Sequence, residues 1–131
     1  MVIDTSVIVA ILFGEAEAEA FAEAIEAAPV RAMSMASALE ATIVIESELG
    51  PEGGRELDAL LHTTGISIEP VTTEQLAAAR HAFRNFDTGR HPAALNFGDC
   101  FGYALIKSTG EPLLFKGQDF AQTDVDRALP I

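Results

Sequence analysis

At 131 residues the chain has the length of a single domain and can bury a hydrophobic core. Hydrophobic residues make up 49% of it, which excludes disorder by composition, and no apolar run approaches the roughly 20 residues of a membrane-spanning helix. The formal net charge of −12 argues against the basic surface with which most proteins bind nucleic acids.

Short apolar runs alternate with helical patterns along the chain. In the first half, the predicted elements are a strand at 1–3, helices from about Ser6 and over 15–28, a strand over 30–35, a helix from Ser34 or Ser37 to about Leu49, a turn at 50–54 and a helix over 55–62. In the second half, they are a strand over 66–70, a helix from Thr72 or Thr73 to about Phe86, a loop over 87–95, a helix from Asn96 to about Ser108, and a strand over 112–115.

This order of strands and helices favours a parallel sheet covered by helices, within a single α/β domain over residues 1–131. Ligands of such folds bind at the carboxyl ends of the strands. The side chains of interest therefore follow a strand directly or lie in the first turns of the next helix. Four acids meet this condition: Asp4, Glu40, Asp99 and Asp119.

Asp4 directly follows the first predicted strand and precedes Thr5 and Ser6. An Asp at a strand–helix junction caps the helix at least as often as it binds a ligand. The ligand interpretation gains weight from Ser6, because its hydroxyl is close enough in sequence to support the carboxylate.

Glu40 fits two local structures. If Ser37 caps the helix, then Ser37 and Glu40 form a capping box, in which each side chain satisfies the backbone of the other. If Ser34 is the cap, Glu40 lies inside the helix on the face of Ile43 and Val44. An unpaired carboxylate on such a face is costly without a cation or a proton. The sequence leaves both structures open.

Asp99 belongs to a segment that is otherwise apolar or small, as in a buried helix. Asn96 is a good helix cap, and the helix dipole favours an acid in the first turn, so a structural role accounts for Asp99 locally. Gly98 and Gly102, four residues apart, allow another backbone to approach closely. A charge in such a helix needs a specific reason, which makes Asp99 the strongest candidate.

Further charged residues lie near the last strand and in the predicted loop. Asp119 comes just after that strand and Asp124 five residues later, and either also suits a turn or a cap. Lys116 can pair with these acids or with a phosphate. Arg90 in the loop is placed to meet a phosphate, although a solvated loop residue is the simpler interpretation.

Carboxylates gathered at one sheet edge resist joint ionisation, and a divalent cation with oxygen ligands resolves the repulsion. Mg²⁺ binds to one or two carboxylates, several waters and substrate phosphates.

Motifs of other chemistries are missing: the sequence has no phosphate loop, no dinucleotide fingerprint, no nucleophile elbow and no histidines at zinc spacing. The single Cys100 and the lack of a visible signal peptide make a reducing cytoplasm the expected location.

Four segments resemble the PIN-domain ribonucleases of the VapC toxin family: MVIDTS at 1–6, SALEA at 37–41, LNFGDCFGYA at 95–104 and LFKGQDF at 114–120. The resemblance spans essentially the whole chain and implies an α/β/α sandwich around a parallel sheet. It also implies Mg²⁺- or Mn²⁺-dependent cleavage of RNA, homodimerisation and neutralisation by a small cognate antitoxin. By position, the family's acidic residues are matched by Asp4, Glu40, Asp99 and Asp119, with Asp124 a weaker match.

The resulting hypothesis has Asp4 and Asp99 binding the metal directly and Glu40 directly or through a water, with the fourth acid completing the shell or binding a second ion. Ser6 and Asn96 hold the carboxylates in place. Two alternatives remain. An aspartate-nucleophile phosphatase needs a second Asp where Ser6 stands, and a non-catalytic module would use its acids only to bind a basic antitoxin.

Overall fold

The computed structural model describes residues 1–86 and 95–129. Its strands are β1 (Val2–Ile3), β2 (Ala32–Ser34), β3 (Ser67–Glu69) and β4 (Leu113–Leu114). Its helices are α1 (Thr5–Leu12), α2 (Ala18–Ala27), α3 (Met35–Thr63), α4 (Thr73–Phe86) and α5 (Asp99–Thr109). Within the described ranges, the strands form one parallel sheet in the order β3-β2-β1-β4.

The sheet separates two hydrophobic clusters. Successive residues of a strand point to opposite faces, so Val2 of β1 joins the cluster beneath α4 and α5, whereas Ile3 joins the cluster beneath α1, α2 and α3. Tyr103 is a large buried side chain of the first cluster, and Phe21 of the second. Helices thus cover both faces of a parallel sheet, which confirms the predicted α/β/α sandwich.

The strand order brings the two ends of the chain together at the middle of the sheet. Val2 pairs with Ala32 on one side and with Leu113 on the other. The N–H of Asp4, the residue after β1, donates to Leu114 O at 3.0 Å. Residues that follow β1 and β4 therefore lie beside each other although more than a hundred positions separate them.

The boundaries of several helices differ from the prediction. Helix α3 consists of two helical stretches joined by a kink at Gly50, whose backbone is not helical (φ 69°, ψ −168°), so the predicted turn at 50–54 is reduced to this one residue. Pro51 follows the kink, where its missing N–H is tolerated at the start of the next helical stretch. Helix α5 begins at Asp99 rather than at Asn96.

Parts of the sequence prediction fall outside the described residues. The predicted loop over 87–95 is described only at Leu95, and Arg90 lies in the segment that is not described. Among residues 1–86 and 95–129, no helix is long and apolar enough to cross a membrane.

Candidate active site

A cavity of about 200 Å³ opens where the residues after β1 and β4 meet the start of α5. This is the edge at which parallel-sheet proteins bind their ligands. Its lining is mostly polar and consists of Asp4, Thr5, Ser6, Glu40, Asn96, Asp99, Lys116, Asp119 and Phe120. Acids that are distant in the sequence therefore share one small space.

Asp4 caps α1 and faces the cavity at the same time. Its Oδ2 accepts from the Ser6 N–H at 3.0 Å and from the Ser6 Oγ at 2.6 Å. The side chain is buried, with 6% of the residue exposed. Burial raises the pKa of Asp4 above its ordinary value, against the hydrogen bonds from Ser6, and the nearby Glu40 raises it further.

Ser6 connects Asp4 to the residue after the last strand. While the Ser6 hydroxyl donates to Asp4, its Oγ accepts from the backbone N–H of Lys116 at 3.0 Å. The hydroxyl is therefore held from both sides, and the Asp4 carboxylate is fixed relative to β4 as well as to its own helix. These hydrogen bonds join Ser6 to Asp4 and to the backbone after β4, and the role of Ser6 in a metal site stays a prediction.

Asp99 is the first residue of α5 and forms a reciprocal pair with Asn96. The Asp99 N–H donates to Asn96 Oδ1 at 2.9 Å, and Asp99 Oδ2 accepts from the Asn96 N–H at 3.0 Å. Burial raises the pKa of Asp99 to about 7 despite the Asn96 N–H, with further increases from the charges of Asp4, Asp119 and Glu40. A cation in the cavity would remove the cost of these converging charges.

Glu40 reaches the cavity from the second turn of α3. The helix is capped by Ser34, whose Oγ accepts from the Ala36 N–H at 3.3 Å, so Glu40 lies inside the helix and the capping box with Ser37 does not start it. Ser37 O instead accepts from the Thr5 hydroxyl at 2.9 Å. The half-buried Glu40 side chain contributes to the raised pKa values of both buried aspartates.

The structure separates the two acids near the C-terminal end. Asp119 is exposed and lines the cavity. Asp124 accepts instead from the Tyr103 hydroxyl at 2.9 Å and from Lys107 Nζ at 3.0 Å, away from the cavity lining. Burial raises the pKa of Asp124, but these hydrogen bonds more than offset it and leave the pKa below its ordinary value.

Lys116 lines the cavity, yet its ammonium group is engaged by acids outside it. Nζ lies 2.8 Å from Glu15 Oε1 and 3.1 Å from Glu17 Oε2. These hydrogen bonds raise the pKa of Lys116, so it stays charged. The pairing was not predicted, because Glu15 and Glu17 lie about a hundred positions away in the sequence.

The donor set fits a hard divalent cation that keeps part of its water. In the described part of the chain, no three His, Cys, Asp or Glu side chains form a group that could hold an ion by themselves. Mg²⁺ does not require such a cage, because it binds to one or two carboxylates and completes its octahedron with water and substrate phosphates. Two buried, mutually repelling carboxylates at a small polar cavity match that preference.

The PIN domain family matches residues 1–126. This chain belongs to the PIN-domain family. It is 53% identical over 125 residues to ribonuclease VapC30 of Mycobacterium tuberculosis, with 95% of each chain covered. It is 55% identical over 125 residues to a ribonuclease VapC of Mycolicibacterium smegmatis, which covers 95% of this chain and 97% of that relative.

The fold of this PIN-domain chain also has a counterpart among solved structures. The crystal structure of Mycobacterium tuberculosis VapC20, titled a sarcin–ricin loop cleaving toxin, superposes with a TM-score of 0.78. The two chains are 19% identical, and the alignment covers 98% of each. The likeness at this identity concerns the fold, and the curated VapC relatives confirm the family that the four sequence segments indicated.

Proposed function

We propose that this PIN-domain chain is a Mg²⁺- or Mn²⁺-dependent endoribonuclease and the toxin of a toxin–antitoxin pair. The observation that supports the proposal most is the convergence of Asp4 and Asp99, both buried, with Glu40 at one polar cavity. Relatives named as ribonucleases share about half of the sequence over nearly its full length. The acids of the cavity could hold the divalent cation that RNA cleavage by such relatives would need.

The acids of the cavity and the two residues that hydrogen-bond to them have distinct parts in this proposal. Asp4 and Asp99 hold the cation, Glu40 ligates it or one of its waters, and Asp119 at the exposed rim completes the shell. Ser6 and Asn96 act as positioning residues for the first two, through the hydrogen bonds already described.

When bound, the cation supplies Lewis acidity toward the phosphodiester and a water of lowered pKa. A scissile phosphate would have to lie beside the acids that line the cavity, where the cation is held. Lys116 lines the cavity and could bind a phosphate through its ammonium group if that group leaves Glu15 and Glu17. Arg90 is a second candidate for such a contact and lies outside the described residues.

The decisive experiment is digestion of RNA by the wild type with Mn²⁺, with excess chelator, and with Mn²⁺ added back. We expect cleavage only when the metal is present, and loss of cleavage in Asp4→Asn and Asp99→Asn with the fold retained by circular dichroism. Asp124→Asn is the matched control, because Asp124 is bound to Tyr103 and Lys107 outside the cavity. Cleavage by both cavity variants at the wild-type rate would refute the assignment.

Two further measurements, of phosphorylation at Asp4 and of antitoxin binding, separate the two alternative functions. A phosphatase with Asp4 as nucleophile would accumulate a phosphorylated Asp4, but a serine stands at position 6 and donates to Asp4 Oδ2 at 2.6 Å. A non-catalytic module would bind its antitoxin tightly and cut no RNA in Mn²⁺. Neither outcome is expected.

Two partners complete the proposal. Met35, Leu39 and Ile43 form an exposed apolar row along α3, and Phe97 beside it is 82% exposed. Exposed apolar surface of this kind is typical of protein interfaces, so we propose that this face is covered in a homodimer. The net charge of −12 favours a basic antitoxin. Light scattering of the wild type and of Leu39→Glu tests the dimer: the variant should be monomeric.

A further inference from the structure

The Glu40 carboxylate occupies the space in which a side chain of residue 98 would stand. A Cβ built on Gly98 would lie 2.7 Å from Glu40 Cδ and 2.7 Å from Glu40 Oε1. Real Cβ atoms essentially never come within 3.0 Å of a neighbour. We propose that Gly98 is a positioning residue, whose missing side chain allows Glu40 to reach the acidic cavity. The inference rests on the proposed function, in which Glu40 helps to hold the cation.

The backbone of Gly98 gives no other reason for a glycine. Its dihedral angles, φ −62° and ψ −38°, are those of a right-handed helix, which every residue type adopts. Capping does not require it either, because the first N–H of α5 is satisfied by Asn96 Oδ1 at 2.9 Å. The group that a side chain at this position would displace is therefore the carboxylate of Glu40.

Gly102, one turn further along α5, provides a matched comparison. A Cβ built there would lie 3.7 Å from Asp4 Oδ1, which is an ordinary van der Waals contact. The two glycines thus border two different acids of the same cavity. A methyl group on Gly98 would displace Glu40, whereas a methyl group on Gly102 would leave Asp4 in place. The sequence suggested that another backbone approaches Gly98. In the structure, the atoms nearest to a Cβ built on Gly98 belong to the side chain of Glu40.

The effect of a methyl group at position 98 should appear in metal binding and not in folding. Glu40 is half-buried, and its carboxylate is the end of a flexible side chain on α3, so it can turn away at small cost. Having turned away, it no longer points into the cavity. A residue with a purely structural role would show the opposite pattern, with a lower melting temperature and unchanged metal affinity.

Calorimetric titration of the purified protein with Mn²⁺ alone tests the proposal as a double-mutant cycle. Gly98→Ala and Glu40→Ala should each weaken Mn²⁺ binding about 10-fold, and the double variant no further, because both changes remove the same carboxylate. Gly102→Ala should stay within about twofold of the wild type, since its methyl group makes an ordinary contact. The melting temperature of metal-free Gly98→Ala should not fall.

The outcomes distinguish this inference from the proposed function. If Glu40→Ala leaves Mn²⁺ affinity unchanged, the assigned role of Glu40 fails, and the inference with it. If Glu40→Ala weakens binding but Gly98→Ala does not, or if the two losses multiply in the double variant, the inference is wrong while the metal site stands. A melting temperature lowered by Gly98→Ala in both Glu40 backgrounds would likewise overturn it in favour of a structural role.

Discussion

Replacing Asp99 by Asn removes a charge from the cavity and keeps the shape of the side chain, including an oxygen that can accept from the Asn96 N–H. The Asp99 carboxyl has a pKa of about 7 in the folded protein against an ordinary 3.8. Between these values the folded chain keeps a proton that the unfolded chain has released. The resulting stabilisation of the folded state is fully present below pH 3.8 and is lost as the pH rises through about 7.

The difference of about three pKa units corresponds to at most about 4 kcal/mol at 1.4 kcal/mol per unit. Water reaches the open side of the cavity and screens part of the charge, so about 2 kcal/mol is the expected size. Metal-free Asp99→Asn should therefore be more stable than the wild type by about 2 kcal/mol, or roughly 6–8 °C, at about pH 8, and equal to it near pH 4.

The assay is thermal unfolding at both pH values, first with chelator and then with Mg²⁺. At pH 8, Mg²⁺ should make the wild type more stable than Asp99→Asn. The metal binds to the folded wild type and stabilises it, whereas the variant has lost a ligand. Asp58→Asn, an exposed change on α3, is the control and should show neither effect. The reasoning is refuted if Asp99→Asn is destabilised at both pH values, or if Mg²⁺ stabilises it as much as the wild type.

Three further substitutions distinguish residues that affect metal binding from residues that affect the stability of the fold. Ser6→Ala removes a hydroxyl that donates to Asp4, and it should weaken Mn²⁺ binding about 10-fold by titration while retaining the fold. Tyr103→Phe removes the hydrogen bond to Asp124 and should cost about 1 kcal/mol in denaturant unfolding, with Mn²⁺ affinity unchanged. Gly110→Ala forces a side chain onto a left-handed helix end (φ 75°) and should cost about 1 kcal/mol in the same assay; no loss would remove strain as the reason for glycine there.

The sheet and the position of Asp4 could be predicted because their signals are local. Short apolar runs bounded by proline, glycine or serine indicate the strands, and an acid directly after such a run lies at the carboxyl edge whatever the rest of the chain does. Asn96 and Asp99 are likewise close in sequence, and the structure joins them by two hydrogen bonds at the start of α5, although the helix begins at Asp99 and not at the predicted cap Asn96. The family resemblance added the three-layer α/β/α arrangement of these elements.

Other features depend on contacts between distant residues, which a local pattern does not contain. Whether Ser34 or Ser37 caps α3 is locally ambiguous, and in the fold Ser37 O accepts from the distant Thr5 hydroxyl. Asp119 and Asp124 are equally good candidates in sequence, and only the partners that α5 provides for Asp124 separate them. The turn predicted at 50–54 is confirmed as a break at Gly50, but it is shorter than predicted, because Pro51 starts the next helical stretch directly after it.

The two glutamates that engage Lys116 bear on how RNA arrives. Because this ammonium group already lies between two carboxylates, it neutralises little of the charge of an approaching phosphate, and few of the cations condensed on the RNA are released. Binding constants of proteins that neutralise many phosphates fall steeply with salt because of such release. For this protein the slope should be shallow, and an RNA would be selected by the shape that fits around the cation rather than by long-range attraction.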